Sequence, residues 1–355
     1  MRFFDAHCDT VMHALDDGLD FVAGSRGAHL DLPRLEAAGS CVQLFAIFMA
    51  AGHYPPDGEM RPHAERALAA VHGWVAGSGG RLRLALTGAD VRTACAATAG
   101  GPVYGLIGLE GADCLEGNAE NLRHFAAAGV RNVIPAWADN SFSGTVFGQK
   151  GPLTAEGARL IALCEQLRVM VDVSHLSDAA FWQVFEMTGR PFIASHSNCR
   201  AVSPSSRNLT DEMLRSLADR GGVMGINLAP DFLSPDFYEI AWPIYIQSER
   251  SLAKAPDAAA KDQITRDRDA QIAVLPRPGR EWIVRHVQHA IQVGGEDCVG
   301  LGGDLDGLSF LPAGMTGVES YPALVDLFVA AGLSDRQVEK VCWRNMARVF
   351  EDVLP

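Results

Sequence analysis

The sequence has no excess of positive charge and no block of basic residues. It carries 30 lysine and arginine residues against 43 aspartate and glutamate residues, which gives a net charge of −13. Proteins that bind nucleic acid or an anionic membrane surface need a basic patch, because the charges of the partner are negative. The composition therefore predicts that neither nucleic acid nor membrane is a partner.

Long apolar runs are also missing. No stretch approaches the roughly 18 continuous apolar residues that suggest a membrane-spanning helix. The first residues, Met1 to His7, are not followed by the apolar segment of a secretory signal. We therefore expect a cytoplasmic protein. The eight cysteines include no CxxC pair, so buried free thiols are expected rather than disulfides or a thiolate metal site.

The sequence does contain an alternation of short apolar segments and segments of helical periodicity. We predict eight strands, near residues 2–7, 41–48, 103–109, 131–137, 168–174, 191–195, 222–228 and 298–303. Helices are predicted between them, among others near residues 61–76, 117–128, 154–167, 177–188, 210–220 and 280–293. Buried strands that alternate with helices are typical of a parallel sheet. Eight such units, without a GxGxxG motif after the first strand, favour a (β/α)8 barrel of the TIM type over an open doubly wound sheet.

One segment interrupts the alternation. Residues 229–279 contain several prolines and a charged stretch, and they are too many for a plain connection. In a barrel this insertion would follow the seventh predicted strand, on the catalytic face. It could be a lid or an oligomer contact, or an insertion with one solvated helix and no role at the site. Since no second domain is indicated, we expect a single domain over residues 1–355.

Five of the predicted strands end at residues that can bind a metal. His7 and Asp9 stand two residues apart, so their side chains point to the same side of the first strand. Each of these groups taken alone could be a cap or an ordinary polar residue. In a parallel barrel, however, all these strand ends converge at one mouth, and imidazole and carboxylate groups are zinc ligands. The sequence therefore predicts a metal site made by the following residues: His7, Asp9, Glu110, His175, His196 and Asp304.

Six candidate ligands exceed the three protein ligands of a typical mononuclear catalytic zinc, which favours two metal ions. Glu110 comes from a strand between the others and could bridge ions about 3.5–4 Å apart. A hydroxide held between the ions would be a nucleophile near neutral pH, which predicts metal-assisted hydrolysis. Asp304 could take the proton of the water and pass it to a leaving amine. Arg207 follows the sixth predicted strand and could bind a substrate carboxylate, although its residue type alone fits a surface arginine better.

These motifs together resemble those of the membrane (renal) dipeptidase family of the amidohydrolase superfamily. The resemblance extends over nearly the whole chain. It rests on the segments DAHCDT (5–10), GLEG (108–111), DVSH (172–175), SHS (195–197), SRN (206–208), GGDLDG (302–307) and NMARVF (345–350). It implies a distorted (β/α)8 barrel, two Zn²⁺ ions per subunit, a homodimer, and hydrolysis of dipeptides that includes those with a D-residue at the C-terminal position.

The resemblance also implies which residue does what. By motif, the ligands would be His7 and Asp9 for one zinc ion, His175 and His196 for the other, and Glu110 for both. Asp304 would be the general acid and base. Arg207 would bind the C-terminal carboxylate of the dipeptide.

One position departs from the family pattern. In members of the mammalian type, a histidine at the end of the fourth strand is thought to polarise the scissile carbonyl, whereas this sequence has Trp137 there. An indole N–H can donate a hydrogen bond but cannot act as an acid. Zinc and Trp137 could suffice, Asn140 could substitute, or the substrate could differ.

Three functions are compatible with these observations. The first is a zinc-dependent dipeptidase. The second is a metal-dependent hydrolase of another small amide, such as an N-acyl amino acid, a lactam or a cyclic amide. The third is a barrel that binds a ligand without catalysis. Converging buried carboxylates would destabilise such a barrel if they had no partner, which disfavours the third function.

Overall fold

The fold is built on one parallel β-sheet. The computed structural model describes residues 1–55, 58–97, 100–252 and 254–355. The strands within these ranges are β1 (Phe3–Cys8), β2 (Ser40–Phe48), β3 (Leu82–Leu84), β4 (Val103–Glu110), β5 (Val130–Ile134), β6 (Met170–Val171), β7 (Ile193–Ser197), β8 (Val223–Ile226) and β9 (Val299–Leu301). Eight of them follow one another in the order β6-β5-β4-β2-β1-β9-β8-β7, and β3 pairs with β4 outside this path. Each of the eight predicted strands overlaps one of the strands on the path, whereas the short β3 was not predicted.

The sheet curls, so that its two end strands approach each other. Asp172, directly after β6, forms an isolated parallel bridge with Ile193 at the start of β7. The backbone N–H of Val173 donates to the carbonyl of Ile193 at 2.8 Å. On the other side, the N–H of Asp172 donates to the carbonyl of Val133 in β5 at 3.0 Å. The molecule is therefore an α/β fold with a curled parallel sheet.

Helices connect the strands, and several begin at the predicted caps. The side chains of Thr154, Ser177 and Thr210 each accept a hydrogen bond from a backbone N–H in the first turn of the helix that follows. The α-helices of the described ranges are α1 (Thr10–Asp17), α2 (Leu32–Ala38), α3 (Met60–Gly77), α4 (Gly88–Ala96), α5 (Leu122–Ala127), α6 (Ala155–Leu167), α7 (Asp178–Met187), α8 (Asp211–Asp219), α9 (Pro230–Leu233), α10 (Pro235–Leu252), α11 (Ala258–Ala273), α12 (Glu281–Gly294), α13 (Pro322–Ala330), α14 (Asp335–Glu339) and α15 (Asn345–Val353). The predicted helix over 117–128 is shorter than expected, since a 3₁₀ turn at Ala119–Asn121 precedes α5.

Two buried apolar clusters hold the sheet in place. The larger one joins the strands to the surrounding helices. The smaller one joins residues from both ends of the strand path, such as Met170 and Ile193, to side chains of α15. Within it, the rings of Phe4 and Phe350 stack with their centroids 5.4 Å apart. Because apolar residues occupy this part of the strands, the polar residues collect at the carboxyl ends.

The segment 229–279 contains more helix than the sequence suggested. It forms α9, α10 and α11, and the last two pack around a small buried cluster of Phe237, Ala241 and Ile272. Pro230 and Pro235 each stand at the start of a helix, where the missing N–H breaks no helical hydrogen bond. Pro243 lies inside α10, and the helix continues through it.

Candidate active site

The carboxyl ends of the strands bring the predicted metal ligands together. Strand β1 and the residue after it provide the first pair. The rest come from the last residues of β4 and β7 and from the turns that follow β6 and β9. The side chains are almost completely buried, with at most 9% of any residue exposed: His7, Asp9, Glu110, His175, His196 and Asp304. Two overlapping groups of these residues have ligand atoms that all lie within 4.8 Å of one another. One group is His7, Glu110 and His196, and the other is His7, Asp9 and Asp304.

Glu110 presents its two carboxylate oxygens to two different sets of ligands. Its Oε2 lies 3.2 Å from His7 Nε2, which in turn lies 3.6 Å from Asp9 Oδ2. Its Oε1 lies 2.9 Å from His175 Nε2 and 3.5 Å from His196 Nε2. Ligand atoms that share a cation at bond lengths of about 2.0–2.2 Å have spacings of this size. Each side of Glu110 can therefore take part in a separate cation site.

The electrostatic surroundings of the three histidines fit a metal centre. Burial lowers the pKa of His175 and of His196 well below the ordinary value, so both imidazoles are neutral, which is the form that binds a metal. Burial also lowers the pKa of His7, but the adjacent carboxylates of Glu110 and Asp9 outweigh it and raise this pKa well above the ordinary value. The negative charge around His7 thus favours a cation at this place.

The carboxylates of the cluster also indicate that a cation binds here. Burial, together with the neighbouring charge of Glu110, raises the pKa of Asp9 to about 7. Asp9 Oδ1 has no hydrogen-bond partner among the described residues. Buried carboxylates so close together repel each other unless a cation compensates them. Imidazole nitrogens and carboxylate oxygens together suit zinc and other divalent transition metals.

Two of the site residues have an uncommon backbone conformation. The φ angles of His175 and Asp304 are 70° and 57°, in the left-handed region that few residues other than glycine adopt. Such positions cluster at functional sites, where the surrounding structure compensates the strain. The turn after the strand directs each of these side chains towards the other ligands. This backbone conformation could not be predicted from the sequence pattern.

Asp304 is held by a residue that the sequence reasoning missed. Asn227 Nδ2 donates to Asp304 Oδ2 at 3.0 Å, and Asn227 Oδ1 accepts from the N–H of Ala229 at 2.7 Å. Burial raises the pKa of Asp304 to about 7, and Asp9 and Glu110 contribute in the same direction. Asn227 directly follows the buried strand β8, so the strand-end rule that found the ligands would also have found it.

The cluster opens into a cavity of about 420 Å³. One part of its wall is formed by the metal-binding side chains. Helix α1 contributes Met12, His13, Asp16 and Asp17 to the remaining wall, and the loop after β9 contributes Asp306 and Gly307. Aromatic residues at or after the ends of β2 and β5 complete it, namely Phe48, Tyr54 and Trp137. A cavity of this size accommodates a small molecule.

Trp137 and Asn140, the two residues considered for the place of the family histidine, lie in different environments. Trp137 lines the cavity, and its ring centroid lies 5.8 Å from that of His175. Asn140 is turned into its own loop, where Nδ2 donates to Asp113 Oδ2 at 2.9 Å and to the carbonyl of Pro135 at 3.0 Å. Its Oδ1 accepts from two backbone N–H groups of the same loop. The geometry thus brings Trp137 to the site but does not bring Asn140 there.

Arg207 is buried beside the metal cluster, with 3% of its surface exposed. Its Nη2 donates to the carbonyl of His196 at 3.0 Å and lies 3.3 Å from His175 Nε2. The guanidinium lies 5.4 Å from the ring centroid of Phe232. Burial lowers the pKa of Arg207 to about 10, so the side chain is still charged at neutral pH. The interpretation of Arg207 as a surface arginine is therefore wrong.

Comparison with known proteins now assigns the chain to a family. The family model described as membrane dipeptidase, peptidase family M19, matches residues 1–354. The chain belongs to the membrane dipeptidase family. Its members are metal-dependent hydrolases, so the predictions of an enzyme, of metal dependence and of dipeptide hydrolysis are confirmed. Among the helices of the described ranges, none combines the length and the apolar character that crossing a membrane requires.

Individual proteins are similar to this one over most of the chain. A Klebsiella pneumoniae protein named "uncharacterized protein in pqqA 5′ region" is 34% identical over 295 residues, which cover 81% of this chain and 94% of that protein. The crystal structure of a Rhodobacter sphaeroides metallopeptidase, liganded with a phosphinate mimic of the dipeptide L-Ala-D-Ala, is 28% identical with a TM-score of 0.82, and 99% of each chain is covered. The M19 metallopeptidase dipeptidase AC is also 28% identical, with a TM-score of 0.81 over 100% of this chain and 99% of that one.

Proposed function

We propose that this protein hydrolyses dipeptides, including L-Xaa-D-Xaa dipeptides, at a centre of two Zn²⁺ ions. The observation that carries the proposal is the position of Glu110, whose two oxygens face two separate sets of ligands at 2.9–3.5 Å. The R. sphaeroides relative, which is liganded with a mimic of L-Ala-D-Ala, supports the choice of substrate.

The proposed ligands follow from these distances. His7 and Asp9 hold one ion, His175 and His196 hold the other, and Glu110 holds both. When bound, a zinc pair supplies Lewis acidity that lowers the pKa of water and polarises a carbonyl group. The protein contributes neutral imidazoles, carboxylates and a site that is largely closed to solvent.

Asp304 is the proposed general base and general acid. Asn227 holds its Oδ2, while its Oδ1 lies 4.0 Å from His7 Nε2 and thus faces the metal ligands. Asp304 takes a proton from the attacking water and delivers it to the nitrogen of the leaving amino acid. A pKa near neutral suits a group that must first accept and then release a proton.

Arg207 is the proposed anchor of the substrate. Its guanidinium lies next to His175 and His196, in a place from which water is largely excluded, and it can bind the C-terminal carboxylate of a dipeptide. Trp137, in the wall of the cavity, contacts the peptide group near the reacting carbonyl. Asn140, which is engaged within its own loop, has a structural role in this proposal.

We further propose that residues 1–355 form a single domain with a closed (β/α)8 barrel. The bridge between Asp172 and Ile193 supports closure, because it joins the two ends of the strand path. The insertion at about 229–279 begins two residues after Asn227, which contacts Asp304, and this supports a position on the catalytic face. We also propose a homodimer located in the cytoplasm, and the eight cysteines, all of them free thiols, fit a reducing compartment.

The experiment that tests the function is amino-acid release from a panel of L-Xaa-L-Xaa and L-Xaa-D-Xaa dipeptides by the zinc-loaded protein. We expect turnover that disappears in a His175→Ala control. If the protein contains two metal ions per chain and releases no amino acid from any dipeptide, the dipeptidase proposal is wrong. N-acyl amino acids, lactams and cyclic amides would then be tested, since each of them can also present a carboxylate to Arg207.

A further inference from the structure

A second cavity lies beside the metal cluster and is much smaller than the substrate cavity. Its volume is about 10 Å³, which is enough for about one water molecule. Its walls include residues of two motifs, the SHS segment at the end of β7 and the SRN segment that follows it, and they also include the metal ligand His175.

Four residues of this wall have a buried polar atom without a hydrogen-bond partner among the described residues. The residues are at most 7% exposed, and the atoms are His175 Nδ1, Ser197 Oγ, Arg207 Nε and Asn208 Oδ1. Most buried polar atoms in proteins have a partner, and ordered water provides it where the protein does not. Four such atoms around one cavity of this size therefore point to a common partner.

Two of the four atoms are donors. His175 Nε2 lies 2.9 Å from Glu110 Oε1 and faces the metal cluster, so the ring proton is on Nδ1 when Nε2 binds a metal. Arg207 Nε always carries a proton. The guanidinium and the imidazole are neighbours, since Arg207 Nη2 lies 3.3 Å from His175 Nε2.

The other two atoms can accept. Asn208 Nδ2 donates to the carbonyls of Ser203 and Phe232 at 2.9 Å and 2.8 Å, which fixes the orientation of the amide and identifies Oδ1 as the acceptor. Ser197 Oγ is a hydroxyl and can accept as well as donate. One water molecule, which accepts two hydrogen bonds and donates two, complements this set. An anion does not, because it would face the amide oxygen of Asn208.

We propose that this cavity binds one water molecule that connects His175 to Arg207, and that Ser197 and Asn208 are positioning residues that hold it. The water keeps the proton of His175 on Nδ1 and fixes the guanidinium plane of Arg207. Metal binding and recognition of the substrate carboxylate thereby share one hydrogen-bonded unit. The inference rests on the proposed roles of His175 and Arg207.

The first test compares two serine variants of the zinc-loaded enzyme. Ser197→Ala removes a hydrogen-bonding partner of the water. Ser203→Ala is the matched control, because its hydroxyl is likewise buried and without a partner among the described residues but does not line the cavity. We expect Ser197→Ala to lower the affinity for zinc, measured by competition with a chelator, by about 10- to 100-fold, as is typical when a group that orients a metal ligand is lost. The KM for dipeptides should rise more than kcat falls. Ser203→Ala should behave like the unsubstituted enzyme in both measurements.

The second test is a high-resolution crystal structure of the zinc-loaded enzyme. Density for a water within about 2.7–3.2 Å of His175 Nδ1, Arg207 Nε and at least one of the two acceptors would support the proposal. It is overturned if these atoms bond directly to one another, or if Ser197→Ala retains zinc as tightly as Ser203→Ala. Neither zinc retention nor the density depends on turnover. Failure of the dipeptide panel would therefore refute the proposed function without deciding the water site.

Discussion

Two sides of the metal site carry opposite charge: one is Arg207, which lies beside His175, and the other is the acidic end of α1, which lines the larger cavity. Near the end of β7, Arg207 provides a buried cation. On the α1 side, Asp16 and Asp17 line the cavity; the first accepts from the hydroxyl of Tyr54 at 2.8 Å, and the second lies 2.9 Å from His13 Nε2. A dipeptide is itself dipolar, with a carboxylate at one end and an ammonium group at the other. The difference between the two sides therefore predicts one binding direction, with the C-terminus at Arg207 and the N-terminus at α1.

The two sides also differ in burial, and this difference sets the expected energies. Arg207 is 3% exposed, whereas 61% of the side chain of Asp17 is exposed. Solvent screens exposed charges, so pairs at the surface contribute little, while a buried charge that loses its partner costs much more. Changes at the Arg207 side should therefore have large effects, and changes at the α1 side should have small ones.

The largest effect on activity is expected from a substitution of Asp304, which belongs to neither side. Asp304→Asn keeps the shape of the side chain but removes the group that accepts and releases the proton. We expect kcat to fall by about 10²- to 10⁴-fold, the usual contribution of general acid–base catalysis. The KM and the zinc content should stay near those of the unsubstituted enzyme, because the two ends of the substrate still bind at Arg207 and at α1. A kcat within threefold of the unsubstituted value would exclude Asp304 from proton transfer.

The next largest effect is expected at the cationic side. Arg207→Met removes the charge and keeps much of the length, and we expect kcat/KM for dipeptides to fall by about 10²- to 10³-fold, given the high cost of breaking a buried charge interaction. Dipeptide amides, which lack the carboxylate, should be cleaved equally by both enzymes. If dipeptides and their amides lose activity to the same degree, Arg207 does not bind the carboxylate.

A stability effect is expected from Asp231, an acid near the cationic side. Burial raises its pKa from 3.8 to about 6. The folded state thus holds the proton more tightly than the unfolded state, so the residue adds stability at low pH, and this contribution is lost as the pH rises from about 4 to about 6. Asp231→Asn should be more stable than the unsubstituted protein at pH 7.5 by up to about 3 kcal/mol. Denaturant unfolding at pH 4 and pH 7.5, at equal zinc content, measures this difference. A gain of the same size at both pH values would contradict the assignment to ionisation.

The smallest effect is expected at the acidic side. Asp17→Asn should raise the KM for dipeptides with an N-terminal lysine by only about two- to fivefold, as expected for a screened surface charge. Dipeptides with an N-terminal alanine should respond less, since they carry one positive charge fewer. Initial rates at two salt concentrations test this, because the difference should shrink at high salt. A loss as large as that of Arg207→Met would overturn the comparison of the two sides.

The sequence predicted the strands on the path and the metal-binding residues for one physical reason. Buried parallel strands are short apolar runs, and a polar residue where such a run ends is conspicuous, as with Glu110 and His196. The three residues of β3 were missed because they alternate in polarity and pair only with β4. The role of Asn140 could not be predicted, since its hydrogen bonds depend on how its loop folds back on Asp113. The local sequence pattern thus predicted the residues at the strand ends. The contacts of loop residues depend on tertiary structure and could not be predicted from that pattern.

The α10–α11 pair differs from the sheet in how much apolar surface holds it. In the described residues, its own buried cluster consists of Phe237, Ala241 and Ile272, whereas the strands belong to two extensive clusters. Segments with little buried apolar surface open locally at a lower free energy than the rest of a protein. Amide hydrogens of α10 and α11 should therefore exchange with solvent well before those of β1, β2 and β4. In evolutionary terms, we expect this helical pair to tolerate mutations at little cost to the folded state, and the strands that carry the metal ligands to tolerate fewer.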